Sequence, residues 1–193
     1  MPKLFVAVEL PDTVTSELVR VQPPPVAGMR LAEPGQMHLT LHYLGEADIE
    51  RMAVALTDVC VPAFPLAFDG VGHFPSAGGA TTLWAGVRVG AELLALHTAV
   101  ATALTRQGFL PEARPYTPHI TLARCESGVA ASVVLEFLAQ HAKFSLEGVS
   151  ATSYGLYSSE FVSGVPVYRR EQSFSLPPAG KTWQTNRSHD QPT

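Results

Sequence analysis

Two short segments of this 193-residue chain share one pattern, histidine–apolar–threonine–apolar, at His38-Leu39-Thr40-Leu41 and His119-Ile120-Thr121-Leu122. Successive side chains of an extended strand point to opposite faces. Read as strands, both segments therefore set histidine and threonine on one face and two branched apolar side chains on the other. The apolar face has to be buried, so each strand must belong to a sheet packed on a core. One such strand is commonplace, because threonine is an ordinary strand residue and a histidine there is most often a half-buried side chain bonded to a carbonyl. Two copies in matching contexts constrain the fold much further.

The surroundings supply those contexts. Leu4–Val8 reads as a buried strand, and Asp12 as the cap of a helix to Val21 with Val14, Leu18 and Val21 on one face. Pro23-Pro24-Pro25 begins a loop, and Met37–Leu44 is the strand of the first motif, ended by Gly45. Asp48 caps a helix to about Cys60. Strands follow at Leu66–Phe74 and Thr81–Val89, then a helix from Ala91 to Gln107 stopped by Gly108. Pro111, Pro115 and Pro118 hold an extended approach to the second motif strand, His119–Cys125. A helix over Ser127–Gln140 and strands over Phe144–Tyr157 and Val165–Leu176 complete the fold, leaving 177–193 as a loose tail. Strands and helices mixed in this order predict an α+β protein, not a doubly wound parallel sheet. A helix before and after each motif strand points to two related lobes.

Composition removes several classes. With 46% apolar and 16% charged residues the chain has material for one core or two lobes sharing one. No segment approaches the roughly 20 apolar residues of a membrane span. The opening apolar run is too short for a signal peptide and is broken by Glu9 and Asp12. Cys60 and Cys125 form no CxxC pair, so a reduced, cytoplasmic protein is expected. The net charge of −4 lacks the basic excess needed to grip long nucleic acid.

In-line displacement at a phosphodiester needs a base for the attacking group and an acid for the leaving oxygen, on opposite sides of phosphorus. One histidine from each strand supplies both near neutral pH. Thr40 and Thr121 can donate hydrogen bonds to the non-bridging oxygens, where transition-state charge gathers. The scheme calls for neither metal nor cofactor. His38 and His42 do make His-x-x-x-His, a zinc spacing on a helix. On a strand the two would lie about 13 Å apart, too far to share an ion.

At these residues the sequence resembles the two-histidine (2H) phosphoesterase superfamily, defined by paired His-x-Thr/Ser-x motifs. It is most similar there to the bacterial and archaeal RNA 2',3'-cyclic phosphodiesterases, also called 2'-5' RNA ligases. The likeness runs from Leu4-Phe5-Val6-Ala7-Val8-Glu9-Leu10-Pro11, through Met37–Gly45 and Phe74-Pro75 with Leu83-Trp84-Ala85-Gly86-Val87, to Arg114–Arg124 and Leu156-Tyr157-Ser158-Ser159. It implies one bilobal domain over residues 1–176, with pseudo-symmetric antiparallel sheets flanking a central cleft and helices outside. It also implies hydrolysis of a terminal 2',3'-cyclic phosphate to a 2'-phosphate, with His38 as proton donor, His119 as proton acceptor, and Thr40 and Thr121 holding the phosphate.

Arg124 aligns with a basic residue after the second motif, but strict alternation turns it away from His119, so a bulge or an extended reach is needed to bring it to a phosphate. Tyr43 and Tyr116 are candidates to stack on a terminal base. Arg114 is left open, and His73 and His97 are assigned to structural or surface roles. The partner expected is an RNA 3' end, or a nucleotide, carrying a cyclic phosphate, bound by a monomer without a membrane. Two alternatives stay open: ATP-independent ligation through a 2'-5' bond, and an RNA-end-binding module without turnover.

Overall fold

A computed structural model describes residues 1–180 apart from 77, 113 and 164; the tail assigned to 177–193 therefore lies mostly outside the described residues. The chain forms, in order, β1 (Lys3–Val8), α1 (Asp12–Val21), β2 (Met29–Leu31), a single 3-10 turn (Pro34–Gln36), β3 (Leu39–Glu46) and α2 (Ile49–Leu56). Next come β4 (Phe64–Pro75), β5 (Thr81–Val87), α3 (Ala91–Thr105), β6 (His119–Cys125) and α4 (Ala131–Gln140), then β7 (Ser145–Ala151), β8 (Ser153–Val162) and β9 (Val165–Ser175).

The strands make two antiparallel sheets, β3-β1-β8-β9 and β2-β6-β5-β4-β7. Both are built on the same unit, two adjacent antiparallel strands joined through a helix and followed by another helix. In the first sheet that unit is β1-α1-β3-α2, and in the second it is β5-α3-β6-α4. The two lobes expected from the flanking helices are therefore present, and the motif strands β3 and β6 approach one another where the sheets meet. Leu39, Leu41, Ile120 and Leu122 are each at most 3% exposed, within a single apolar cluster that draws on both sheets and all four helices. Strand alternation thus did what the pattern requires: the apolar side of each motif is core.

Four expectations need correction. The strand expected over Phe144–Tyr157 is two strands in different sheets, β7 beside β4 and β8 beside β1, parted at Thr152. Helix α2 stops at Leu56, where the Thr57 hydroxyl donates to the Val54 carbonyl at 2.6 Å, although Asp48 caps its start by accepting from the Arg51 amide at 2.8 Å. Pro11, not Asp12, occupies the cap position of α1 and makes no side-chain bond there. Helix α4 begins at Ala131, after a turn closed by the Val129 amide on the Glu126 carbonyl.

Strand β2 was not anticipated. It belongs to the first half of the chain yet pairs with β6 of the second sheet, Arg30 opposite Arg124 and Leu31 opposite Ala123. The Gln22 side-chain amide clamps the junction, donating to the carbonyls of Ala32 (2.7 Å) and Leu122 (2.9 Å).

Candidate active site

His38 immediately precedes β3 and His119 opens β6, and the two imidazoles are held in the same way. The Nδ1–H of His38 donates to the Gln36 carbonyl at 2.7 Å, and that of His119 to the Thr117 carbonyl at 2.8 Å. A carbonyl only accepts, so each bond places the proton on Nδ1 and leaves Nε2 for chemistry: a lone pair when the ring is neutral, a donor when it is charged. Both rings, with Thr40, Thr121, Arg30 and Arg124, line one cavity of about 120 Å³. Among the described residues neither threonine hydroxyl is committed to another bond.

A β-bulge follows the threonine in both copies. Ala7 faces Thr40 while Val6 faces His42, leaving Leu41 as the extra residue; Trp84 faces Thr121 while Leu83 faces Ala123, leaving Leu122. A bulge exchanges the faces of the residues beyond it. His42, which unbroken alternation sets beside Thr40, instead points into the core, where its Nε2–H donates to the His97 carbonyl at 2.8 Å. His38 and His42 thus leave opposite faces of the strand. Among the described residues there is no cluster of three or more histidine, cysteine or acidic side chains spaced to hold a metal.

The same device, one of the two routes open from sequence, brings Arg124 round to the cavity. Tyr43, the equivalent residue of β3, is 48% exposed and lies outside the cavity lining. Tyr116 is placed otherwise than expected: its hydroxyl donates to the Thr40 carbonyl at 2.9 Å and its ring stacks on His97 at 4.1 Å. It braces β3 from behind instead of offering a face to a base, and burial raises its pKa. Arg114 is exposed and ion-paired to Glu112 at 2.7 Å. His73 is exposed on β4.

Each imidazole rests against aromatic rings of its own sheet. His38 packs on Phe5 at 4.7 Å and meets the edge of Tyr168 at 5.1 Å; His119 meets Phe74 edge-on at 4.8 Å. Tyr168 and Pro166 belong to β9, which is tied to the segment before the first motif by the Gln36 side chain donating to the Pro166 carbonyl at 2.9 Å. Gly86, facing His119, permits the close approach of β4; a Cβ there would lie 2.5 Å from the Asp69 carbonyl oxygen. Burial lowers the pKa of both histidines, His38 to about 4, with the charges of His119 and Arg124 adding to that and the Gln36 carbonyl opposing it. Arg124 likewise adds to the lowering at His119, against the Thr117 carbonyl. Sequence reasoning missed Arg30, Phe5, Gln36 and Tyr168. Their only local signals were a three-residue strand and aromatic residues at ordinary strand positions.

The family described as the 2'-5' RNA ligase superfamily matches residues 11–157. A curated Thermus thermophilus protein named RNA 2',3'-cyclic phosphodiesterase is 31% identical over 90% of both chains. One of the same name from Archaeoglobus fulgidus is 32% identical over 63% of this chain and 72% of its own. Among solved structures, E. coli LigT complexed with 3'-AMP superposes with a TM-score of 0.71 at 26% identity, covering 91% of this chain and 98% of that one.

Proposed function

We propose that this chain, which belongs to the 2'-5' RNA ligase superfamily, hydrolyses an RNA 3'-terminal 2',3'-cyclic phosphate to a 2'-phosphomonoester, with no metal taking part. The observation that carries this is the pair of Nδ1–H···O=C bonds, which leave Nε2 free on each of two imidazoles lining a single cavity. His119 takes the proton of the attacking water, that oxygen bonds to phosphorus, and the bond from phosphorus to the 3'-oxygen breaks as His38 hands that oxygen a proton. Thr40, Thr121 and Arg124 hold the non-bridging oxygens. The relatives named for this activity support the substrate class. Near-symmetry leaves the two roles exchangeable on geometry, and their order follows the family resemblance.

The test is hydrolysis of an oligonucleotide ending in a 2',3'-cyclic phosphate, with end-group analysis and EDTA in one arm. A 2'-phosphate end, formed at the same rate with and without chelator, is the expected result. A 3'-phosphate end reverses the cleaved bond, and chelator inhibition relieved by added metal removes the mechanism. Adding a 5'-hydroxyl oligonucleotide reads ligation in the same tubes; water at the open cavity favours hydrolysis.

A further inference from the structure

We propose that Arg30 forms a second anion subsite beside the reaction centre, which takes the 5'-phosphate of the same terminal nucleotide; the inference rests on the cyclic phosphodiesterase reading above. Arg30 and Arg124 are direct partners across β2 and β6, so their side chains leave the same face with Cβ atoms about 4.5–5.5 Å apart. Both line the cavity, and among the described residues no aspartate or glutamate lines it with them. Among the described residues neither guanidinium has a carboxylate within ion-pair reach. The scarcity is local, because the chain has 17 acidic side chains against 13 Lys and Arg. Like charges directly opposite on neighbouring strands destabilise a sheet, and an anion bound from outside relieves that repulsion.

The two arginines are not equivalent. Arg124 is close enough for its charge to act on both imidazoles. Arg30 stands on β2, the outer strand of its sheet, one step beyond β6, which carries His119, Thr121 and Arg124. A cyclic phosphodiester carries one negative charge, which Arg124 and the two threonines already surround. The next anion covalently tied to that ribose is its 5'-phosphate, one sugar away, and a step of one strand plus an arginine side chain spans that separation.

The experiment compares a nucleoside 2',3'-cyclic phosphate with and without a 5'-phosphate. A charge-assisted bidentate contact predicts a wild-type preference in kcat/KM of about tenfold or more for the 5'-phosphorylated substrate, carried by KM. Arg30→Met should erase that preference and Arg30→Lys retain part of it, with melting temperatures recorded for both. No wild-type preference, or a preference that survives Arg30→Met in a folded protein, overturns the proposal. Should Arg30→Met fail to fold, the wild-type preference and the Arg30→Lys ratio decide. A variant that slows both substrates equally and relieves inhibition by nucleoside 2'-phosphate assigns Arg30 to the product instead, and also overturns it. If the wild type hydrolyses neither substrate, the parent reading has failed; calorimetry of nucleoside 2'-phosphate against nucleoside 2',5'-bisphosphate then still tests Arg30, equal affinities overturning the subsite.

Discussion

The first and second motif strands are copies in geometry and opposites in electrostatics. In both, the histidine is tied back two residues by Nδ1, the threonine shares its face, and a bulge at the following leucine exchanges the faces beyond. Past the bulge the copies part. β3 presents Tyr43 to solvent at the edge of its sheet, whereas β6 presents Arg124 to the cavity and is flanked by β2 with Arg30. His38 lies deeper in aromatic surroundings, with Phe5 stacked on Tyr157 at 5.2 Å and Tyr168 edge-on to it at 5.1 Å. The repeated strand geometry thus accounts for two imidazoles lining one cavity, while both arginines of that cavity come from the second sheet.

The largest effect tests the shared half of this comparison. His38→Ala and His119→Ala should each lower turnover by about 10²- to 10⁴-fold. The double variant should lose little more than the worse single one, because in the proposed scheme acid and base act as a unit. Multiplicative losses would show two independent contributions.

The next tests the difference. Arg124→Gln should raise KM by roughly 10- to 100-fold, while Tyr43→Phe at the equivalent position should leave KM within about twofold. Comparable effects at the two positions would mean that charge is not confined to the second lobe.

The pH dependence carries the same asymmetry. The proposed acid–base scheme needs one imidazole charged and the other neutral, and both pKa values lie below 6.5, that of His38 at about 4. The bell of kcat/KM should therefore peak on the acid side of 6.5 and fall as pH rises through neutrality, for want of the protonated acid. Arg124→Gln removes a charge that lowers both pKa values and should move the bell to higher pH. A peak above 7 in the unmodified enzyme would contradict the burial of His38.

Stability gives the smallest signals. His38, His42, His97 and His119 all have pKa values lowered by burial in the folded state. The unfolded chain then binds more protons, so the melting temperature should hold above about pH 6.5 and decline as pH falls from there toward 4. Tyr116→Phe, losing the bond to the Thr40 carbonyl, should cost about 0.5–1.5 kcal/mol in denaturant unfolding, with little change in KM if the ring's only task is to support β3.

Period-two alternation is a local property, and from it alone came the strands of both motifs, their buried faces, and the pairing of imidazole with hydroxyl on the open side. Propensity and periodicity were enough to place the helices to within about one turn, with Asp48 the cap that held, and to give the two-lobed α+β order. Tertiary structure decided what depends on partner choice. Leu41 and Leu122 bulge because of how β3 and β6 register against β1 and β5, which buries His42 and turns Arg124 inward. Residues 144–157 split because two sheets claim the two halves, and Arg30 reaches the cavity because a three-residue strand crosses to the other lobe. Register and sheet membership are settled between segments far apart in the chain, so no single stretch of sequence encodes them.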